Sequence, residues 1–501
     1  MEFFTLFLIS IVTFCVFYYF KKRSNYFQDA GIPYMSSIPI LGDMAPVVFR
    51  RKHITGMIQD LYDLEPEAKY VGMMDFTSPV IMVRDLELIK SITIKNFDDF
   101  PDRLTVFEET DPLFGGNLAN MAGDRWREAR SLLSPAFTSS KMKGMFELMI
   151  ECAKNFVDHV EKRPKSENNM VDTKDLFTKY TNDVIATCAF GIGVNSLEDP
   201  NNDFYVLGKK ATSLGFIDTM KFFVARSFPK LIKILNIKFV DDRVATFFKT
   251  IISDTVITRD EKNIRRPDMI QLMMDARGKD SKHLKLDITE MTAQAFIFFF
   301  GGFETTSSQM CLIAHELAIN PEIQKKLQDE IDAVMKITKG NPTYEEINKM
   351  LYLDAVMNES LRYHTQGFFL NRQCIKAFKL PPTLPGRKPF VVQPGVNIWV
   401  PAGSIHRDPK YYDEPDKFDP DRYFEKKVSI NDVTNLGFGI GPRSCIGNRF
   451  AILETKILFF LLLEKFNLVS NSKTCNPLIY DKTTFNLKPQ GGFWLNIEPR
   501  T

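Results

Sequence analysis

Residues 436–447 read Leu436-Gly437-Phe438-Gly439-Ile440-Gly441-Pro442-Arg443-Ser444-Cys445-Ile446-Gly447. Four glycines and one proline within these twelve residues predict a tight loop. The apolar run from Phe450 to Leu463 predicts a buried helix after it, so Cys445 lies where a loop enters a helix. Loop amides and the positive end of the helix dipole both favour a thiolate there and lower the pKa of the thiol. Cys445 is therefore a candidate ligand or nucleophile.

The side chains around Cys445 bear on which of these two roles it has. A cysteine nucleophile usually needs a histidine base, and none of the six histidines lies in this loop or its helix, although one could approach in space. Zinc needs further Cys or His at ligand spacing, and Cys374 and Cys475 are isolated. A lone thiolate with these neighbours suits an iron porphyrin, with Cys445 on iron, Arg443 on a propionate and Phe438 shielding the sulfur. Taken alone, a cysteine in a glycine-rich loop is more often a small structural residue.

The full pattern resembles a known family. The string Phe438-x-x-Gly441-x-Arg443-x-Cys445-x-Gly447 resembles the haem-binding signature of the cytochrome P450 superfamily. That resemblance implies a mainly α fold with a small β region, in which haem (iron protoporphyrin IX) lies between a long central helix and the cysteine-loop helix. Residues 132–143 also resemble the insect microsomal members that metabolise xenobiotics.

The composition excludes several classes of protein. With 44% hydrophobic and 25% charged residues the chain can form a sizeable core, and a formal net charge of +2 gives no field that would attract a nucleic acid. Seven cysteines at irregular spacing do not indicate a disulfide framework, which favours a reducing compartment. Length alone suggests about three domains, but no linker or repeat divides the chain. We therefore predict one haem-thiolate catalytic domain over residues 25–501.

The first residues predict a membrane anchor. Phe3 to Phe20 carry no charge, and Lys21-Lys22-Arg23 follow. At about 1.5 Å per residue the run spans roughly 27 Å, enough for a thin bilayer. A cleaved signal peptide would carry its positive charges before the apolar run, so we predict a single N-terminal anchor over residues 1–24 with the body cytosolic. A removed signal or a buried core helix is the alternative. The resemblance implies the endoplasmic reticulum membrane.

Three further residues are candidates for binding the cofactor. Trp126 and Arg130 lie four positions apart and therefore share a helix face. In isolation they are a surface cation–π pair, but they match the superfamily's Trp-x-x-x-Arg, which implies contact with a haem propionate. Arg372, ten residues after Arg362, matches a strand arginine that binds a propionate in the same superfamily.

A long helix carries the second candidate site. Asp287 and Glu290 resemble a capping box, and nothing ends the helix before Asn320-Pro321, which gives about 32 residues and roughly 48 Å. Gly301 and Gly302 cost about 1 kcal/mol each in helicity, so we expect a locally weakened helix that opens a groove; close packing against another helix is the alternative. The resemblance implies that Thr305 hydrogen-bonds the dioxygen substrate and that Glu304 lies on the proton route. Five phenylalanines cluster here, and any that face the haem would form an aromatic pocket wall: Phe296, Phe298, Phe299, Phe300 and Phe303.

A third motif predicts a buried ion network. Glu359 and Arg362 are adjacent on one helix face, and the resemblance implies that Arg422 joins them in locking the segment beside the haem. The superfamily's two prolines after this helix are here Thr365 and Gln366, which leaves the course of the following residues open. The resemblance gives His406 a structural role.

These motifs together predict a haem-thiolate monooxygenase that inserts one oxygen atom of O2 into an apolar small molecule, such as a xenobiotic, an insecticide, a plant toxin or a lipid. No dinucleotide-binding pattern occurs in the chain, so the electrons are expected from NADPH through a separate NADPH-cytochrome P450 reductase, with cytochrome b5 as a second candidate donor. The aromatic segment 214–232 is either core or a lid that dips into the membrane. A haem-thiolate isomerase or dehydratase, and a non-catalytic haem or ligand carrier, remain alternatives.

Overall fold

The computed structural model describes residues 26–500 apart from 106, 164–169, 214, 267, 278–282 and 430–431, together with positions 3–7, 10, 11, 13, 14, 17 and 18. The described positions before residue 19 are helical. Among all described residues, no helix is both long and apolar enough to cross a membrane. Much of the predicted anchor at 1–24 lies outside the described residues, so the anchor stays a prediction.

The described chain is mainly helical, as predicted. Its α-helices are α1 Tyr26–Asp29, α2 Ala45–Val48, α3 Ile54–Asp63, α4 Leu86–Lys90, α5 Pro112–Gly115, α6 Gly123–Leu133, α7 Ser139–Lys162, α8 Thr173–Ile185, α9 Asp203–Thr212, α10 Phe216–Ser227, α11 Pro229–Ile234, α12 Asp242–Lys262, α13 Met269–Ala276, α14 Ile288–Phe300, α15 Thr306–Ile319, α16 Pro321–Thr338, α17 Tyr344–Lys349, α18 Leu351–Tyr363, α19 Ala402–Ile405, α20 Asp421–Phe424 and α21 Asn448–Lys465. Short π-helical turns cover Ser91–Lys95, Ala186–Phe190 and Gly301–Thr305, and 3-10 turns cover Phe97–Asp99 and Ser134–Phe137.

The strands form three small sheets. They are β1 Tyr70–Asp75, β2 Ser78–Val83, β3 Met170–Asp172, β4 Leu370–Gln373, β5 Phe378–Pro382, β6 Pro389–Val392, β7 Asn397–Val400, β8 Phe466–Val469 and β9 Trp494–Pro499. The largest sheet has the order β1-β2-β7-β4, in which only the β2–β7 pair is parallel. β3, β9 and β8 form a second sheet, and β5 pairs with β6. The small β region that the resemblance implies is therefore present as these three sheets.

Two apolar cores hold these elements together. The larger core joins the helices and contains fully buried rings such as Phe156, Phe177 and Phe459. The smaller core surrounds β1, β2 and β7 and contains Phe27 and Trp399. Burial of such side chains is worth about 1.5–3 kcal/mol each, so the packing of helices against helices supplies most of the stability.

The long helix runs where the sequence predicts it. Its first turn is capped by Asp287, whose side chain accepts a hydrogen bond from the Glu290 amide at 2.8 Å. α14, the π-helical turn Gly301–Thr305 and α15 then follow one another without a break to Ile319. The π-helical turn lies at the two glycines, which confirms the predicted local weakness of the helix. The long helix packs against the cysteine-loop helix α21, where Thr306 lies beside the buried carboxyl of Glu454.

The predicted ion network is present and buried. The carboxylate of Glu359 accepts two hydrogen bonds from Arg362, at 2.7 and 2.8 Å, and one from Arg422 at 3.2 Å. Arg362 also donates to the carbonyl oxygens of His406 and Pro415, both at 2.8 Å. Helix α18 is therefore joined to the irregular segment 406–422 by charges that have no access to water.

We expect Glu359→Ala to destabilise the fold strongly. The change leaves the guanidiniums of Arg362 and Arg422 buried without a counter-ion, which costs about 3–5 kcal/mol. Urea denaturation followed by tryptophan fluorescence measures this loss. Glu345→Ala is the matched control, because Glu345 forms an exposed ion pair with Lys143, and we expect little change in its midpoint. Equal midpoints for the two variants would contradict the network's role.

Candidate functional site

The cysteine loop has the conformation that its glycines predict. Gly439 and Gly441 have φ of +77° and +74°, a region that favours glycine. A Cβ on Gly441 would lie 2.2 Å from the carbonyl oxygen of Thr93, so the backbones approach too closely there for a side chain. The Cys445 amide donates to the Phe438 carbonyl oxygen at 2.8 Å. Cys445 therefore lies at the end of a closed loop, just before α21.

The Cys445 thiol is accessible but closely surrounded. The residue is exposed, and neighbouring protein groups still affect the pKa of its sulfur. Burial raises the pKa of this thiol, although the Gly447 amide and the guanidiniums of Arg130 and Arg103 lower it. The loop amide of Gly447 therefore lowers the pKa of Cys445 as predicted, but the net shift is upward, because desolvation is the larger effect.

Four arginines converge beside the cysteine loop: Arg103, Arg130, Arg372 and Arg443. Burial and the neighbouring charge of Arg103 lower the pKa of Arg372 and that of Arg443 to about 9. Asp102 contacts this group through its Oδ1, 3.2 Å from Arg443 Nη2. Arg130 and Arg103 also have lowered pKa values because they are buried. The site therefore holds more positive than negative charge, and an anion would stabilise it.

Two donor atoms in this group have no partner. Arg443 Nε and Nη2 donate to the carbonyl oxygens of Pro101 and Met121, both at 2.8 Å, but Nη1 has no hydrogen-bond partner among the described residues. The two Nη atoms of Arg372 bind backbone carbonyl oxygens, while its buried Nε has no partner in the described ranges. An unpaired buried donor costs about 1–3 kcal/mol. Hydrogen bonds to the anionic oxygens of a ligand would remove this cost.

Trp126 and Arg130 lie on α6, as predicted. Trp126 is buried, and the guanidinium carbon of Arg443 lies 3.9 Å from the centroid of its indole ring. The ring thus joins α6 to the cysteine loop through a buried cation–π contact. The spacing of Trp126 and Arg130 did not indicate this contact, because its second partner lies more than three hundred residues away in the sequence.

Sequence analysis did not identify Arg103. Its Nη2 donates to the carbonyl oxygen of Arg443 at 2.8 Å, which brings its charge to the cysteine loop. It lies in an irregular segment after the Phe97–Asp99 turn, where no periodicity or motif marks a functional residue. The neighbouring Asp102 ties this segment to α6 by accepting from the Gly123 amide at 2.8 Å. Only the tertiary structure brings Arg103 to the site.

The weakened turn of the long helix carries the second set of predicted site residues. Thr305 is exposed, whereas residues 306–318 that follow it are buried, and its hydroxyl donates to the carbonyl oxygen of Gly301. A Cβ on Gly302 would lie 2.5 Å from Ile185 Cδ1, whereas a Cβ on Gly301 would meet nothing within 4 Å. The two glycines therefore serve both predicted purposes, since one permits close helix packing and the other faces open space.

Glu304 belongs to a polar network that joins its turn to α8 and to the C-terminal loop. Its Oε1 is 3.0 Å from Lys174 Nζ and accepts hydrogen bonds from Ser308 Oγ at 3.2 Å and Asn486 Nδ2 at 3.3 Å. Lys174 Nζ also donates to Ser307 Oγ at 2.8 Å. The structure therefore connects Glu304 to several groups that can carry a proton, one residue from Thr305.

Four of the five neighbouring phenylalanines, all except Phe300, belong to the core. Phe296, Phe299 and Phe303 are fully buried. The Phe299 ring centroid lies 5.3 Å from that of Phe204 on α9 and 5.1 Å from that of Phe248 on α12. The expected aromatic pocket wall therefore does not include these three rings, because their side of the helix packs against other helices.

Comparison with known proteins identifies the family. The sequence profile described as Cytochrome P450 matches residues 37–496. The chain belongs to the cytochrome P450 family. It is 42% identical to Cytochrome P450 9e2 of Blattella germanica over 99% of this chain and 98% of that protein. It is 40% identical to Probable cytochrome P450 9f2 of Drosophila melanogaster over 100% and 99%, and 36% identical to Cytochrome P450 6a8 of the same organism over 98% and 97%.

Family membership confirms the central predictions from the sequence. This P450 is a monooxygenase whose cofactor is haem, and its relatives are insect enzymes. The donor set fits that cofactor, since haem carries two propionates and an iron that accepts a thiolate. Nη1 of Arg443 and Nε of Arg372, which have no partner among the described residues, are donors of the kind that carboxylates accept from, and Cys445 is a free thiol of the kind that binds iron.

A separate cleft lies elsewhere on the surface. It has a volume of about 640 Å³ and is lined by residues that include Ile319, Gln324, Leu468 and Thr474. These residues lie at the C-terminal end of α15 and beside β8. None of the residues of the cysteine loop, the arginine group or the π-helical turn lines this cleft.

We expect Arg103→Leu to weaken haem retention in this P450. Within the described chain Arg103 makes one hydrogen bond, to a backbone carbonyl oxygen, so its loss should leave the fold intact while removing one cation from the arginine group. Transfer of haem to apomyoglobin should be about tenfold faster, since a charge-assisted contact is worth about 1.5–3 kcal/mol. Arg127→Leu is the matched control, because Arg127 is half-exposed and pairs with the exposed Asp98. Equal transfer rates in both variants would contradict the role of Arg103.

Proposed function

We propose that Cys445 is the protein ligand of the haem iron in this P450. The supporting observation is that Cys445 is exposed and lies in one loop with Arg443, close to arginine donors that have no partner among the described residues. Phe438, half-buried in the same loop and bonded through its carbonyl oxygen to the Cys445 amide, shields the sulfur from water. The Gly447 amide favours the thiolate form. Both contacts keep the sulfur available as an anionic ligand.

The haem propionates bind the arginine group in this proposal. Arg443 and Arg372 offer their unpaired N–H groups to the carboxylates, and Arg130 adds a third cation from α6. Trp126 holds the Arg443 guanidinium in place through the contact between ring and cation. Arg103 completes the group. Charge-assisted hydrogen bonds of this kind are about twice as strong as neutral ones, which supports tight cofactor binding.

Thr305 and Glu304 deliver protons from the π-helical turn. When bound, haem supplies the activation of dioxygen and the transfer of one oxygen atom to the substrate. Thr305 donates its hydroxyl hydrogen to Gly301, so the hydroxyl oxygen is free to accept a hydrogen bond in the groove. Glu304 exchanges protons with its polar neighbours, and Lys174 stabilises its carboxylate after a proton leaves. Protons therefore reach the groove from a network inside the protein.

The substrate is an apolar small molecule such as a xenobiotic, an insecticide, a plant toxin or a lipid. Four phenylalanines form a cluster where α10 covers the segment before α6: Phe107, Phe114, Phe222 and Phe239. The centroids of Phe114 and Phe239 are 4.1 Å apart, and those of Phe222 and Phe239 are 4.7 Å apart. A substrate pocket covered by such rings favours apolar ligands over charged ones. The insect origin of the relatives supports xenobiotics and lipids.

The membrane supplies such molecules. The outer face of α10 and α11 exposes Ile217 and Ile234 at 71% and 78% and also exposes Phe228, Leu231 and Leu235. A contiguous apolar patch of this kind marks a membrane or partner surface. Together with the anchor proposed at residues 1–24, it supports attachment to the endoplasmic reticulum with the catalytic domain in the cytosol.

A separate NADPH-cytochrome P450 reductase supplies the electrons, with cytochrome b5 as a second candidate donor. Arg449 follows the cysteine loop, is exposed and contacts the Phe137 carbonyl oxygen at 3.5 Å. Lys141 and Lys143 begin α7 beside it. These cations support docking of an acidic surface on the cysteine side.

We expect Thr305→Ala to uncouple the reaction. In membranes that hold this P450 and a reductase, oxidised product per NADPH consumed should fall by about tenfold and hydrogen peroxide should rise, because a positioned proton donor contributes on the order of 10² or more. Product analysis across a panel of apolar compounds, with peroxide assays, measures both quantities.

Thr292→Ala is the matched control for this experiment. Thr292 lies on the same helix and makes the same bond to the carbonyl oxygen four residues earlier, that of Ile288 at 2.6 Å. We expect its product yield to equal that of the parent. An unchanged yield in Thr305→Ala contradicts the role of Thr305, and NADPH use without product from any compound contradicts the proposed substrate class.

A further inference from the structure

Thr365 and Gln366, which stand where the superfamily has two prolines, make specific contacts. Gln366 follows α18 by three residues, and its Nε2 donates to the carbonyl oxygen of Thr305 at 2.8 Å. The same nitrogen donates to Gln309 Oε1 at 3.0 Å. Gln309 Nε2 in turn donates to the hydroxyl of Ser360 at 2.7 Å. Three side chains thus connect α18 to the end of the π-helical turn.

The direction of these hydrogen bonds is determined. A backbone carbonyl oxygen can only accept, so the group that faces Thr305 must be the NH2 of Gln366. The second hydrogen of that NH2 requires the oxygen of Gln309, which leaves the NH2 of Gln309 for Ser360. The assignment is therefore consistent from one end of the chain of bonds to the other.

The far end of this chain of bonds is rigid. Ser360 is fully buried on α18, between Glu359 and Arg362 of the ion network. Gln309 is also buried, on α15. Gln366 thereby links the position of Thr305 to that of the ion network.

We propose that Gln366 is a positioning residue for the turn that carries Thr305. The inference rests on the proton-delivering role proposed above for Thr305. Gln366 holds the Thr305 carbonyl oxygen from outside the helix and thereby fixes where the Thr305 hydroxyl lies. It acts through Thr305 and is not itself a catalytic residue.

The turn needs such support because its own sequence is weak. Two glycines reduce its helicity, and Gly301 faces open space. The Thr305 hydroxyl bonds only to the carbonyl oxygen of Gly301, inside the same turn. A shift of the turn therefore moves the hydroxyl with it, and no contact of that hydroxyl with another part of the described chain opposes the shift.

A second contact holds residue 365 independently of Gln366. His406 Nε2 accepts from the Leu436 amide at 2.9 Å, so its Nδ1 carries the hydrogen and donates to Thr365 Oγ1 at 2.6 Å. Burial lowers the pKa of His406 to about 3, so the ring stays neutral and keeps this arrangement. The segment after α18 is therefore anchored to the cysteine loop even when Gln366 is changed, which makes a Gln366 variant a selective probe.

We expect Gln366→Met to loosen the turn and uncouple the reaction. Methionine keeps the length of the side chain and removes both donors. Amide hydrogen exchange in peptides that cover residues 298–309 should be about fivefold faster, as the loss of one hydrogen bond implies. Product per NADPH should fall and hydrogen peroxide should rise, while the haem content stays that of the parent. Gln366→Glu also lacks an N–H donor, and we expect the same result if the methionine variant does not fold.

Three comparisons make this test decisive. Gln271→Met is the matched control, because Gln271 is half-buried on α13 and donates to Asp275 at 2.9 Å; we expect unchanged coupling. Gln309→Met should uncouple as well, and the double variant should be no worse than either single one, because both act through one chain of bonds. Unchanged exchange or unchanged coupling in Gln366→Met overturns the proposal. If Thr305→Ala leaves coupling unchanged, the role of Thr305 fails and the positioning role of Gln366 fails with it. If Thr305→Ala uncouples the reaction and Gln366→Met does not, only the positioning role of Gln366 is overturned.

Discussion

One buried carboxylate, that of Glu359, supports both segments that carry the proposed haem-site residues. It neutralises the guanidiniums of Arg362 and Arg422, and all three groups are removed from water. Such a network is held by its geometry, because losing any partner leaves a buried charge. Its helix also provides Ser360, which binds Gln309 on the long helix. The cysteine loop and the π-helical turn are therefore both positioned from one helix, whose place is set by this ion network.

The arginines beside Cys445 differ from the ion network at Glu359. Their charges are not balanced by the protein, since Asp102 is the carboxylate in contact and two of their buried N–H groups lack partners in the described chain. A ligand that binds only the folded state stabilises it in proportion to its affinity. An anionic ligand bound at these arginines would therefore stabilise this part of the P450, and haem, with its two propionates, is the cofactor of the family.

Features set by neighbouring residues could be predicted from the sequence, and features set by distant ones could not. The capping side chain of Asp287 and the pair Asn320-Pro321 fixed both ends of the long helix, and the cysteine loop followed from its glycines. Arg103 was missed because no local pattern marks it, and only folding brings it to Arg443. The net direction of the thiol's pKa shift could not be predicted because desolvation depends on the packing of the whole site. The contacts of Gln366 likewise depend on how two helices meet.

The account depends on Cys445 as the ligand of the haem iron. The most direct test is the absorption spectrum of the reduced carbon monoxide complex for the parent protein and for Cys445→His. The account predicts the strongly red-shifted Soret band of thiolate ligation in the parent. It predicts that this band is absent from the variant, which still binds haem through the arginine group. A thiolate-type band that survives in Cys445→His would contradict the account.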